Sequence, residues 1–152
     1  MADAHLVGSV TNTITIARPI EEVFAVLTDV EKTGRWFPGE VVEHWVTPPP
    51  HGVGSRRRAV VRMFGRRTEN EAEAIEYDPP RRAALRGTSP NAPFVVTLDF
   101  LPVAGGTRVD VASRIDLSGP ARIASPILTW LYGRGWSRGL ANLKRMMETG
   151  EL

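Results

Sequence analysis

Residues 10–24, VTNTITIARPIEEVF, change period in the middle. As far as Ile16 the side chains alternate around Thr11, Asn12 and Thr13 in the manner of a half-buried strand. From Pro19 onward Ile20, Val23, Phe24 and Leu27 recur at helical spacing, and Glu21 and Glu22 sit where the helix dipole favours acids. Pro19 suits the first helical position, since its fixed backbone angle is that of a helix and its missing N–H is not needed there. Asp29 is placed to cap a second short helix running to Trp36-Phe37, which Pro38-Gly39 ends.

Working outward, strand-like runs follow at about 40–47, 53–64, 66–77, 82–88, 94–102 and 107–117. Pro48-Pro49-Pro50, Gly65, Asp78-Pro79-Pro80, Ser89-Pro90-Asn91 and Gly105-Gly106 separate them, so the middle of the chain reads as an antiparallel meander. Beyond Ser118-Gly119-Pro120 the period becomes helical again. Leu128, Tyr132, Trp136, Leu140, Leu143 and Met147 fall on one face of a long final helix, in which Gly133, Gly135 and Gly139 predict a kink or break near 133–135. A single antiparallel sheet with its helices on one face is the packing this order favours, an α+β domain spanning 1–152.

Composition narrows the function. With 152 residues, 42% apolar and 24% charged, the chain has the profile of one globular domain. It has no cysteine, which excludes disulfides, thiolate metal sites and cysteine nucleophiles. The basic residues number 19 against 17 acids, and the dense run Arg56-Arg57-Arg58, with Arg62, Arg66 and Arg67, is followed at once by Glu69, Glu71 and Glu73. A nucleic-acid footprint needs cations without such compensation, so no nucleic-acid partner is expected. No run approaches the length of a membrane span and no leader pattern opens the chain, so stable membrane insertion is not expected and the sequence reads as cytoplasmic.

The residues Ile16-Ala17-Arg18-Pro19-Ile20-Glu21-Glu22-Val23-Phe24, Leu27-Thr28-Asp29, Trp36-Phe37-Pro38-Gly39, Val53-Gly54, Asp78-Pro79-Pro80-Arg81-Arg82, Gly105-Gly106-Thr107-Arg108-Val109 and Leu140-Ala141-Asn142-Leu143-Lys144 together resemble the START-like, helix-grip superfamily, in its polyketide cyclase/dehydrase-type branch. The resemblance spans nearly the whole chain, but its residues mark structure rather than chemistry. It implies a seven-stranded antiparallel sheet wrapped around a long C-terminal helix, two short helices between strands 1 and 2, and a deep cavity between sheet and helix. Members of that superfamily include aromatic polyketide cyclases, carriers, lipid transfer proteins and hormone receptors.

Charge patterning separates the two faces of the sheet. With Gly65-Arg66 as a two-residue hairpin loop, Arg62 opposes Glu69, Val60 opposes Glu71 and Arg58 opposes Glu73; Arg86 follows Glu73 across the next turn. That face is an exposed charge ladder, so its carboxylates are not assigned to catalysis. The other face carries Arg57, Ala59, Val61, Asn70 and Ala72 and, from the following strands, Leu98, Phe100 and Val111. Its small side chains leave room for a lipophilic ligand. Arg57 must there meet a partner, reach solvent, or hold a polar group of the ligand. Strand 40–47 is readable in two registers, and placing Glu43 near the outward Arg56 and Arg58 turns His44 inward; Trp36 is either core or cavity wall.

Two motifs are misleading. Gly135-Trp136-Ser137-Arg138-Gly139 matches a hydrolase nucleophile pattern but lies in a helix with no histidine after it. His5, His44 and His51 lack ligand spacing, so no metal and no cofactor is expected. The candidate ligand-binding residues are therefore Arg57, Ala59, Val61, Asn70, Ala72, His44, Trp36, Leu98, Phe100 and Val111, with no catalytic residue assigned. They suit a binder of a small hydrophobic or aromatic molecule, a polyketide cyclase/dehydratase-type enzyme working by positioning and proton transfer, or a partner-binding protein without ligand.

Overall fold

The period change at Pro19 is a structural boundary. Strand β1 (Gly8–Ile16) ends there and helix α1 (Ile20–Thr28) begins, with Pro19 as the capping residue rather than the first helical one. Asp29 accepts the Glu31 N–H and starts a short 3-10 turn, which leads into α2 (Thr33–Trp36). The computed structural model describes residues 8–63, 65–88, 93–115 and 125–152.

Six strands follow: β2 (Glu40–Trp45), β3 (Arg56–Met63), β4 (Arg66–Asp78), β5 (Arg82–Gly87), β6 (Phe94–Val103) and β7 (Gly106–Ile115). All neighbours are antiparallel, in the order β1-β7-β6-β5-β4-β3-β2. The two edge strands are thus the pair joined by α1 and α2. Helix α3 (Ser125–Glu148) is continuous through its glycines, so the expected interruption near 133–135 does not take the form of a break. Gly133 and Gly139 allow close approach. A Cβ on Gly133 would stand 2.8 Å from Val10, and one on Gly139 3.3 Å from Trp36, Phe37 and Pro38. The Asn12 amide also donates to the Gly133 carbonyl at 3.2 Å, fixing the helix to β1.

The second half of α3 closes the core. Leu140, Leu143 and Met147 are buried with Ile16, Val23, Phe24, Leu98, Phe100, Val109 and Val111, and Phe24 meets Phe100 edge to face at 5.0 Å. The helix end is tied to the β1–α1 junction. Arg18 Nε donates to the Met147 carbonyl at 2.9 Å, while Glu148 accepts from the Ala17 N–H and from Lys144.

The β3–β4 hairpin differs from the expected register by two residues. Met63 and Arg66 are its last pair, so Arg58 opposes Glu71 and Arg56 opposes Glu73, while Glu73 opposes Arg86 as expected. A shift of two preserves which side chains share a face. The charge ladder is therefore on the outer side, with Arg56 and Arg58 on Glu71 at 2.8 and 2.9 Å and Arg86 on Glu73 at 3.6 Å. The hydrogen bond from Arg58 holds the Glu71 carboxyl below its ordinary value.

Candidate functional site

The inner face of the sheet is smallest where it passes under the first half of α3. One row of directly opposed residues crosses it: Ile115, Phe94, Gly87, Ala72, Arg57 and Trp45. Gly87 and Ala72 stand at its middle. The Phe94 ring folds over Gly87, where a Cβ would lie 2.2 Å from it, so only glycine fits. The next pairs along β3 are Ala59 with Asn70 and Val61 with Thr68. Ala59 and Ala72 are buried, whereas Val61, Asn70, Leu85, Phe94 and Ile115 are only partly so. Leu85 and Phe94 pack against the core cluster.

The register of β2 corrects one expectation. Trp45 opposes Arg57 and Glu43 opposes Ala59, so Val41, Glu43 and Trp45 face inward and His44 is exposed on the outer side, opposite Arg58. The cost of this register is 64% exposure of Val42. Its gain is a counter-charge for Arg57: Glu43 Oε2 lies 3.4 Å from Arg57 Nη1, and both side chains are largely buried. An inward guanidinium without a carboxylate would carry a much larger desolvation penalty than one exposed valine. Burial raises the Glu43 carboxyl above its ordinary value, and the Arg57 charge opposes that rise.

Helix α3 contributes Tyr132 and Trp136 to this end of the molecule. Burial pushes the Tyr132 hydroxyl up, while the Trp136 indole, the Ser113 hydroxyl and the Arg57 charge act the other way. Ser113 is the next inward residue of β7 after Val109 and Val111, and it is buried. Neither Ser113 Oγ nor Trp136 Nε1 completes a well-formed hydrogen bond, and Glu43 Oε2 accepts none despite its ion pair. Glu43, Arg57, Ser113, Tyr132 and Trp136 thus bring a cluster of polar atoms together at this end, Glu43 facing Arg57 and Tyr132 facing Ser113 and Trp136, in which Ser113 Oγ and Trp136 Nε1 lack a well-formed hydrogen bond.

Arg57, Ala59, Val61, Asn70 and Ala72 stand together on the inner face of β3 and β4. Leu98, Phe100 and Val111 belong to the closed core under the second half of α3, and Trp36 packs in that core against Phe37 and Trp136. Glu43, Ser113 and Tyr132 join these as candidate residues that the strand and helix patterns alone do not single out. The signals for them were the counter-charge an inward Arg57 needs, the continuing alternation of β7, and a phenol on the apolar stripe of α3. No group of three or more histidines and carboxylates able to hold a metal occurs among the described residues.

The family model described as polyketide cyclase / dehydrase and lipid transport matches residues 7–148. The chain belongs to this family. Within the polyketide cyclase / dehydrase and lipid transport family it is similar to an uncharacterized protein of Mycobacterium tuberculosis, 31% identical over 138 residues that cover 88% of this chain and 81% of that one. A crystal structure from Thermus thermophilus superposes with a TM-score of 0.80 at 21% identity, covering 95% of this chain and 99% of that one. One from Rhodobacter sphaeroides gives 0.72 at 21%, covering 94% and 93%. The fold of this family member is the helix-grip arrangement, a seven-stranded antiparallel sheet against a long C-terminal helix.

Proposed function

We propose that the protein binds a small hydrophobic or aromatic molecule between the inner face of the sheet and the first half of α3, and that the polar end of this molecule is a neutral oxygen function such as a ketone or a phenol. The observation that carries the reading is the Glu43–Arg57 pair near Tyr132, Ser113 and Trp136, where Ser113 Oγ and Trp136 Nε1 lack a well-formed hydrogen bond. An unpaired Arg57 would suit a carboxylate ligand. Because Glu43 already neutralises it, a ligand anion would add an unbalanced buried charge, whereas a carbonyl oxygen takes a hydrogen bond and leaves the pair intact. The small Ala59, Ala72 and Gly87 supply room for the apolar body.

A second reading, proton-transfer catalysis of the cyclase/dehydratase kind, is favoured by one observation: a carboxyl with a raised proton affinity lies in the same lining as Tyr132, both under the charge of Arg57. A carboxyl moved toward neutrality exchanges protons more readily near pH 7 than an ordinary one.

One titration tests both. Aromatic ketones and phenols are expected to bind, measured by calorimetry or by displacement of an environment-sensitive dye, and matched carboxylates to bind at least about tenfold more weakly. Ala72→Phe, which fills volume beside Gly87, is expected to abolish binding while the fold is retained. Retained binding in that variant, or a preference for carboxylates, overturns the reading. Glu43→Gln should keep binding; if a bound carbonyl compound is converted by the wild type, this variant should lose the conversion by about a hundredfold or more.

A further inference from the structure

The face of α3 turned away from the sheet has its own pattern. Ile127, Trp130 and Leu131 are 64, 59 and 38% exposed over the first two turns of the helix. At 100° per residue, Arg134 and Arg138 continue the same line, opposite to the Leu140, Leu143 and Met147 side that closes the core. The Arg134 guanidinium stands over the Trp130 ring at 5.4 Å. Between Ser125 and Met147 the helix contains no acid, and adjacent β1 contains no charged residue. Among the described residues neither Arg134 nor Arg138 forms an ion pair. A shallow groove of about 500 Å³ between β1 and α3, lined by Val10, Thr129, Trp130 and Arg134, opens beside the same apolar turn.

Several arginines of the outer sheet face have carboxylate partners: Arg56 and Arg58 share Glu71, Arg82 meets Glu76 and Asp99, and Arg108 meets Asp110. The exposed face of α3 differs from these in combining three large exposed apolar side chains with cations that have no acid partner one and two turns further along. We propose that this face docks reversibly onto an anionic lipid bilayer. Trp130, Ile127 and Leu131 enter the boundary between headgroups and acyl chains, where tryptophan is favoured, and Arg134 and Arg138 lie at the level of the phosphates. No helix among the described residues is long and apolar enough to cross a membrane, so the contact is made from the surface. The opposite face of α3 borders the proposed ligand space through Tyr132 and Trp136, which places bilayer and cavity on two sides of one helix.

Co-sedimentation of the full chain with phosphatidylcholine vesicles, with and without phosphatidylglycerol, tests the proposal. Binding is expected only to the anionic vesicles and should weaken as salt rises, because exposed charges are screened. The double variant Arg134→Glu/Arg138→Glu should partition at least about tenfold less, whereas Arg86→Glu on the outer sheet face should stay within about twofold of wild type. Trp130→Ala should reduce partition at every salt concentration. These side chains face solvent, and a thermal melt verifies that each variant is folded. Absent binding, equal binding to neutral vesicles, or wild-type binding by the charge-reversed pair overturns the proposal. So does a concentration-dependent dimer that Trp130→Ala breaks without any vesicle binding, which would make a second copy of the chain the occupant. Dye displacement from the cavity is read separately, so failure here leaves the ligand reading standing.

Discussion

Arg57→Ala is expected to lower stability at pH 7 by about 1–3 kcal/mol, and Glu43→Gln added to it should restore most of that loss. Truncating one partner of a buried pair strands the other charge, which costs roughly 3–5 kcal/mol when burial is complete; this pair keeps some access to water, so the smaller range applies. The pH dependence identifies the cause. Burial raises the Glu43 carboxyl in the folded protein above its ordinary value of 4.5. The folded state therefore holds this proton more tightly than the unfolded chain does. The resulting stabilisation is fully present below the unfolded value and is lost as pH rises through the folded one. Arg57 limits that loss in the wild type by favouring the carboxylate. In Arg57→Ala the folded value should rise further and the decline toward neutral pH become steeper, while the double variant should lack this component. Urea unfolding of the four proteins from pH 4 to pH 8 measures it; a loss in Arg57→Ala that is independent of pH and of Glu43→Gln would assign Arg57 to packing alone.

The same pair shows what the sequence makes legible and what it does not. Which side chains of β3, β4 and β7 share a face follows from alternation, and it withstands a two-residue error in the hairpin because the strand period is two. The order of elements follows from the switch in period at Pro19 and from the turn residues. The inward side of β2 does not follow from pattern, since Val41, Val42, Glu43, His44, Trp45 and Val46 offer apolar residues to both faces. Pairing by charge along the outer face favoured the wrong register; the stronger constraint was the counter-charge that Arg57 needs inside. Ser113 was hidden for a different reason. On a strand whose inner residues include Val109 and Val111, a serine reads as a gap in the core, and only the nearness of its buried hydroxyl to Tyr132 marks it as part of the candidate site. Alternation thus locates a lining, and unbalanced charges and unpaired polar atoms locate the chemistry within it.

The division of α3 into two faces yields the second large effect. Leu143 is fully buried among Ile16, Phe24, Phe100 and Val109, whereas Leu131, about three turns earlier and roughly 120° around the helix, is 38% exposed. Both are leucines within one helix, so helix propensity and the chemical change are identical on going to alanine, and any difference reports surroundings alone. Leu143→Ala removes buried methyl groups and leaves a cavity between helix and sheet, at an expected cost of about 2–5 kcal/mol. Leu131→Ala should fall within about 0.5 kcal/mol of wild type, as surface substitutions do. Paired denaturant titrations measure both, with unchanged slopes showing that the unfolded reference is shared. If the two losses were equal, the second half of α3 would not be closing the core, and the case for its outer face as a free surface would fall with it. If the contrast is found, Leu131→Ala becomes the cleanest probe of that surface, since it alters the apolar turn beside Trp130 without a stability cost to confound the reading.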